Sequence, residues 1–338
     1  MKYGLKVTMG AFVGLVMEAR DCPILMYHRV LPHGAVTGTL DDNVVVTPEA
    51  FEANVRFLLK RFAVVSLADV MVGRQQKKPS FVITFDDGWL DTYEVAFPIL
   101  KRLGVPATVF LPTAYIGTSL MFWYDRVERL VRQWVMENGV AEAHKWCQLY
   151  FDIKTVIDVG TEAKLVYEAI HSMKPRHPRD IEYRLKQAEG RTFGSPQPIS
   201  PYRQLMDWDE VRRMGAAGVT FGSHGISHSI LPNLSYEEQK EEIHGSRRML
   251  RSQKVNYVDC ISFPNGNYNQ ETLDLSGEAG YQLFVSASMR PCGTGMSRRL
   301  AHRIGVPFSL ANDEGLLKYT LVKAKCTGRM HRLAAAVL

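Results

Sequence analysis

The chain has 338 residues, 46% of them hydrophobic and 22% charged, with a formal net charge of +6. This length and composition fit one large domain or two ordinary ones with a sizeable core, and they exclude a disordered or fibrous chain. The mild positive charge favours anionic surroundings such as a cell envelope. There is no long Lys/Arg block of the kind that marks a nucleic-acid binder, and the short RQQKK at Arg74–Lys78 reads as a solvated loop. Five cysteines (Cys22, Cys147, Cys260, Cys292 and Cys326) are odd in number and form no C-x-x-C pair. That argues for free thiols, as in a reducing compartment, over a disulfide framework or zinc ribbon.

At the N-terminus Lys2 and Lys6 flank the start of an apolar run, Val7 to Met17, which Glu18 and Arg20 close. A bilayer span needs roughly 20 apolar residues, and no small-x-small cleavage site follows. The expectation for residues 1–22 is an amphipathic helix packed on the domain, with a poor signal-peptide core as the alternative reading, and no transmembrane span. The compartment stays open between cytoplasm and cell envelope. PILMYHRV reads as a strand ending at His28. TPEAFEANVRFLLKRF reads as a helix capped by Thr47, with proline at its first position. FAVVSLADVM follows as strand and turn. PSFVITFDDG is an apolar strand of the kind a parallel sheet buries on both faces. An amphipathic helix ending at Gly104 and a second buried strand, VPATVFLPT, continue the alternation.

The rhythm breaks between 117 and 203, where charged helical segments such as YDRVERLVRQWVMENG read as an insertion without a core of its own, forming a lid or groove wall. Strand–helix alternation resumes at MDWDEVRRMGAAGVTFGSHGISH. It runs through a helix capped by Ser235, the strand and turn VDCISFPNGNYN, a further helix and strand, and a last strand in RRLAHRIGVP. The domain is expected to span 23–310, with a helical tail over 311–338. Parallel strands with intervening helices predict an α/β barrel, complete or partly open, whose site lies at the C-terminal strand ends.

The chemically suggestive residues cluster at those ends: Asp86 and Asp87, His224 and His228, Asn265, and His28. Two adjacent carboxylates closing a buried strand call for a cation beside them. His224 and His228 are four residues apart across a segment containing Gly225. Two imidazoles and one carboxylate of the Asp pair make a three-ligand set of the catalytic-zinc type. The second carboxylate is then placed to act as general base. Taken alone, DD is equally readable as a helix cap, and H-x-x-x-H as two packed histidines.

Together these stretches resemble the polysaccharide deacetylases with a NodB-homology domain, carbohydrate esterase family 4. TFDDG (Thr84–Gly88) looks like the first family motif, and SHGISH (Ser223–His228) like the second, with Gly225 where the family has Ser or Thr. FPNGNYN (Phe263–Asn269) is similar to the third-motif region. The resemblance implies a deformed (β/α)7 barrel, a divalent metal (Zn, with Co or Ni as alternatives) and hydrolysis of N-acetyl groups on an acetylated polysaccharide or oligosaccharide. It implies Asp86 as catalytic base and Asp87, His224 and His228 as metal ligands. The third-motif arginine that holds the base is missing from SFPNG, and Arg303 is the candidate to replace it. The catalytic acid is His28 or His302. His28 is favoured because ILMYH looks like the family's last strand moved to the front, as in a branch resembling poly-N-acetylglucosamine deacetylases. Trp89, Pro264, Asn265 and Tyr268, with Trp208, are candidate substrate contacts. The alternatives are a carbohydrate-binding protein without turnover, and an O-acetyl esterase or non-sugar amidase on the same fold.

Overall fold

The structure, a computed structural model, describes residues 21–32, 44–74, 79–154, 161–196, 200, 203–287, 300–306 and 331–332. It opens with the short strands β1 (Asp21–Cys22), β2 (Ile24–Tyr27), β3 (Arg29–Val30) and β4 (Val45–Val46). Helix α1 (Pro48–Leu59) begins as expected. The Thr47 side chain accepts the Ala50 N–H, and Pro48 fills a first-turn position whose N–H has no helical partner. After β5 (Ala63–Val64), the expected turn is a five-residue helix, α2 (Leu67–Met71), because Ser66 and Asp69 form a reciprocal capping box. Strand β6 (Ser80–Phe85) is buried at every position. A π-helical turn, Thr92–Ala96, leads into α3 (Phe97–Leu103), which the left-handed Gly104 stops. Strand β7 is Thr108–Leu111.

Three helices form the insertion: α4 (Trp123–Phe151), broken at Gly139, α5 (Glu162–Met173) and α6 (Pro178–Phe193). The barrel rhythm then resumes with α7 (Trp208–Ala216), β8 (Thr220–Ser223), α8 (Tyr236–Ser252), β9 (Tyr257–Ser262), α9 (Gln270–Glu278) and β10 (Leu283–Ser286). The last short strands are β11 (Leu300–His302), β12 (Ile304–Gly305) and β13 (His331–Arg332).

The main sheet is parallel, in the order β11-β10-β9-β8-β7-β6-β2-β12, with β5 added to β6. One continuous run of chain, 300–306, serves both ends of that order. His302 pairs with Ser286 on one side and Ile304 with Leu25 on the other. Between them the Arg303 N–H donates to the Ser286 carbonyl at 2.9 Å, and the Val306 N–H donates to the Met26 carbonyl at 3.0 Å. This run closes the ring, with β11 and β12 sharing one strand position, so the expected deformed (β/α)7 barrel is observed. Strand β2 lies between β6 and β12, which puts the N-terminal ILMYH strand inside the ring.

Two expectations are revised. The insertion has a core of its own: Val127, Leu130, Trp146, Phe151, Leu165 and Leu185 belong to a separate buried cluster. The apolar positions of α4, α5 and α6 face one another, which the heavily charged composition of these helices concealed. In the tail, His331 and Arg332 are extended and pair antiparallel with Cys22 and Asp21; the rest of the expected tail helix, and the N-terminal helix before Asp21, lie outside the described residues. Cys22, Cys147 and Cys260 are free and buried, and burial pushes the Cys22 thiol up to about 12. Among the described residues no helix is long and apolar enough to cross a membrane.

Trp146 is 5% exposed and packs against Trp134, Tyr150 and Phe151 at ring separations of 5.0–5.4 Å. Trp146→Ala is expected to cost about 3–5 kcal/mol, read as a lower urea midpoint for loss of helical signal. A change below about 1 kcal/mol would mean the insertion cluster is not a packed core.

Candidate active site

Strand β6 runs straight into Asp86 and Asp87, and a tight turn follows. Asp87 and Gly88 take φ of +71° and +68°. A Cβ on Gly88 would meet Leu111 Cδ2 at 2.7 Å, so the position requires glycine. The turn is pinned from outside by the chain that leaves the insertion: Met206 N–H donates to the Gly88 carbonyl at 2.9 Å, and Leu90 N–H to the Gln204 carbonyl at 2.8 Å.

The two carboxylates have different partners. Asp86 is buried and forms a bidentate pair with Arg303, both N···O distances being 2.6 Å. Arg303 also donates to Ser262 Oγ at 2.7 Å and to Thr84 Oγ1 at 3.3 Å. Burial by itself would raise the Asp86 carboxyl. The Arg303 guanidinium, with help from His224 and His28, overcomes that and holds it below the usual carboxylate range. Asp86 is therefore an oriented anion at neutral pH.

Asp87 faces the histidines. Its Oδ1 lies 3.5 Å from His224 Nε2 and 3.2 Å from His228 Nε2, while Oδ2 accepts the Trp89 indole N–H at 3.0 Å. His224 Nδ1 lies 2.7 Å from the Ser262 carbonyl. A carbonyl only accepts, so the proton sits on Nδ1 and the Nε2 lone pair points at Asp87. Burial pushes His224 down to about 4 against the pull of Asp86, so the ring is neutral at pH 7. Burial would likewise raise Asp87, but His228, His28 and His224 draw it well below the usual range. Asp87 Oδ1 is buried without a hydrogen-bond partner among the described residues. The ligand atoms of Asp87, His224 and His228 all lie within 4.8 Å of one another. An anionic oxygen with no donor, converging with two imidazole nitrogens, fits a divalent cation with a position left over for a further ligand.

The SHGISH segment is not helical. Gly225 and His228 take φ of +77° and +56°, and together they fold both imidazoles inward. Glu242 on α8 anchors the fold between them, accepting the N–H groups of Ile226 at 2.7 Å and Ser227 at 3.0 Å and the Ser227 hydroxyl at 2.6 Å. A Cβ on Gly225 would meet Glu242 Oε2 at 2.9 Å, which accounts for glycine where the family pattern has Ser or Thr. His28, at the end of β2, has Nε2 4.0 Å from Asp86 Oδ2 and a side chain 21% exposed. Its neighbour Arg29 is fixed by Asp91, with Nε and one terminal nitrogen each 2.9 Å from Asp91 Oδ2, and stacks 4.2 Å above the Trp89 ring. Asp91 and Glu242 were not identified from sequence. Acids on amphipathic helices carry no mark that separates an anchor from a solvated charge.

A cavity of about 260 Å³ opens over these groups, lined by His28, Asp86, Asp87, His224 and His228 and, of the expected substrate contacts, by Trp89 and Asn265. His302 is buried in β11 and does not line it. Pro264 and Tyr268 do not line it either. Pro264 is buried, and the Tyr268 ring packs 5.6 Å from Phe263. Trp208 packs on the main core. Trp89 is 4% exposed between Arg29 and Phe122, so it supports Asp87 more than it presents a free face. The insertion supplies the facing wall through Trp123, Tyr124, Asp125, Glu128 and Lys174, none of which stood out in the sequence.

The fold and this cluster define a parallel β/α barrel with a carboxylate–imidazole site at its strand ends. The chain belongs to the polysaccharide deacetylase family, whose model matches residues 73–284. It is 23% identical over 290 residues to YxkH of Bacillus subtilis (strain 168), covering 84% of this chain and 71% of YxkH. It is 23% identical over 199 residues to the poly-beta-1,6-N-acetyl-D-glucosamine N-deacetylase of Staphylococcus aureus (strain MRSA252), covering 56% of this chain and 64% of that protein. The structure of IcaB from Ammonifex degensii superposes with a TM-score of 0.53 at 15% identity, over 90% of this chain and 98% of that one, a likeness of fold.

Arg303→Ala would leave Asp86 as a buried charge without its counter-ion and is expected to cost about 3–5 kcal/mol of stability, measured by urea denaturation. A loss below about 1 kcal/mol would show that the pair is not what holds the carboxylate. Glu242→Ala is expected to weaken divalent-metal binding about 10–100-fold through the loosened His224–His228 loop, measured by competition with a fluorescent chelator. Unchanged affinity would remove Glu242 from the site.

Proposed function

We propose that the protein is a metal-dependent deacetylase that hydrolyses the C–N bond of N-acetyl groups on an acetylated amino-sugar polymer or oligosaccharide. The observation that carries this reading is the division of labour between neighbouring acids. Asp87 converges with His224 and His228, while Asp86 is turned aside and held by Arg303. The printed activity of the Staphylococcus aureus relative, an N-deacetylase of poly-N-acetylglucosamine, supports the substrate class.

In this mechanism Asp87, His224 and His228 hold the cation. A nitrogen and oxygen donor set suits Zn, Co or Ni. The bound ion supplies Lewis acidity toward the acetyl carbonyl and lowers the pKa of water from about 16 toward 7. Asp86, already ionised beside Arg303, takes the proton of the attacking water. Arg303 fixes both carboxylate oxygens so that the base cannot swing onto the cation. Trp89 does the same for Asp87 by holding Oδ2. His28 gives a proton to the departing amine nitrogen, since an amide nitrogen leaves only when protonated. Its partly open position 4.0 Å from Asp86 lets it touch substrate while staying in the field of the base. Water adds to the carbonyl carbon, the C–N bond breaks, and acetate and the free amine leave. The polymer substrate fits a place at the cell envelope.

The test is metal content together with acetate release from β-1,4- and β-1,6-linked N-acetylglucosamine oligomers, before and after chelation. Asp87→Ala, His224→Ala and His228→Ala are expected to lose metal and activity together. Asp86→Ala should keep the metal and lose at least about 10²–10⁴-fold in kcat. Turnover surviving both classes of change would defeat the assignment. His28→Ala is expected to lose about 10²-fold or more in kcat, and His302→Ala far less. The reverse ranking would move the acid to His302. Acetate released from O-acetyl sugars alone would make the protein an esterase, and oligomer binding without any release would make it a lectin-like relative.

A further inference from the structure

The helical insertion enters the cleft with its first helical turn. Trp123, Tyr124 and Asp125 at the start of α4 all line the cavity over the catalytic strand ends. Trp123 also lines a second cavity, of about 190 Å³, whose wall includes Tyr115, Arg126, Ile181 and Asn233. Lys174 and Ile230 are likewise shared by the two. Each space is smaller than the roughly 300–1,000 Å³ usual for ligand sites, and the two together fall within that range. Asp125 Oδ2 is buried with no hydrogen-bond partner among the described residues, although the residue stands at the cleft. A buried oxygen without a donor costs free energy in the free protein, and here the cleft is where a donor can come from.

We propose that Trp123 and Asp125 are substrate-binding residues that hold the sugar ring presented to Asp86 and His28, and that the second cavity beyond Trp123 takes the neighbouring sugar, so that the substrate is an oligomer of at least two residues. This deepens the reading of the cleft as an amino-sugar site and rests on it. A pyranose has a face of C–H groups that packs on an aromatic plane and a rim of hydroxyls that needs fixed polar partners. Trp123 supplies the plane, and Asp125, two residues on, supplies the partner. Burial pushes the Asp125 carboxyl up to about 8, with Glu128 and Asp87 adding to the rise and Arg29 opposing it. The group is then neutral at pH 7 and can both give and accept a hydrogen bond from a sugar hydroxyl. Trp123 stands between the two cavities, which makes it the element that couples the reacting residue to its neighbour.

The experiment uses the full chain and N-acetylglucosamine oligomers of one to five residues, in both β-1,4 and β-1,6 linkage. Binding is measured by calorimetry in the presence of chelator, and acetate release is measured with metal. In the unaltered protein, affinity and kcat/KM should rise about tenfold or more from monomer to trimer, the size of effect an added stacked ring produces. Trp123→Ala should abolish that gain. Asp125→Leu should weaken trimer binding about tenfold while leaving the urea midpoint unchanged or raised, because no protein group loses a partner. Asp125→Asn, which keeps a donor and an acceptor, should stay within about threefold. Equal treatment of monomer and oligomers overturns the neighbouring-sugar site. Unchanged binding in Asp125→Leu, or weaker binding that follows a lowered midpoint, overturns the role of Asp125. Oligomer binding that depends on Trp123 and Asp125 without acetate release would sink the proposed activity and leave this inference standing. Acetate release with no dependence on either residue would do the opposite.

Discussion

Asp86 and Asp87 sit side by side at the end of a fully buried strand, and neither can remain charged there without a counter-charge of its own. Asp86 takes Arg303 in a two-bond clasp at 2.6 Å. Asp87 is left facing two imidazoles with an oxygen that has no hydrogen-bond partner among the described residues. The rest of the architecture follows from keeping those assignments apart. In the proposed mechanism, an Arg303 that reached both acids would leave the cation without an anionic ligand, and histidines that reached both would leave no free carboxylate to act as base. Arg303 is positioned by the same short run that closes the barrel, with β11 on one side and β12 on the other. Closure of the fold and orientation of the Asp86 carboxylate are therefore a single structural event.

A second set of contacts fixes the other half of the site at a distance. Glu242 has no contact with either carboxylate among those described, yet it holds the loop that folds His224 and His228 inward. Asp91 holds Arg29, Arg29 covers Trp89, and Trp89 holds Asp87. Each of these links is a charge-assisted bond or a cation–π contact, stronger than a neutral hydrogen bond when shielded from water. The glycine at 225, which departs from the family pattern, is part of the same device. The carboxylate that anchors the loop occupies the space a side chain there would need.

Much of this was legible in the sequence because it rests on local patterns. Caps at Thr47 and Ser235, the buried FVIT strand and the stop at Gly104 are short-range signals, and they placed the strand ends that carry Asp86, Asp87, His224 and His228. Arg303, named from its place at the late HRIGV strand as a candidate to stand beside Asp86, does pair with that carboxylate. Three things were not legible. The aromatics expected at the mouth, Tyr268 and Trp208, are packed inward, since an aromatic beside a motif looks the same whether it faces a cavity or a core. Asp91 and Glu242 act across 62 and 15 or 16 positions of chain, beyond any periodicity. The insertion hid its core because its apolar residues are diluted among charges that pair with one another, as Arg126 does with Glu182 and Glu189.

The insertion also changes what the barrel can select. A strand-end site on a bare barrel is open on one side, and the proposed chemistry there would be indifferent to what the acetyl group is attached to. A packed helical body with its own core brings a rigid edge, Trp123 to Asp125, to that open side. Rigidity matters because a recognition group on a mobile loop must be ordered at binding, and that ordering is subtracted from affinity. Arg126, the residue next to Asp125, is buried and clasped by Glu189 and Glu182. The first turn of α4 is thus locked from behind before any ligand arrives. In the proposed reading the barrel supplies the reaction and the insertion supplies the choice of substrate, and Gln204 and Met206, which follow the insertion in the chain, make the contacts that pin the Asp86–Gly88 turn.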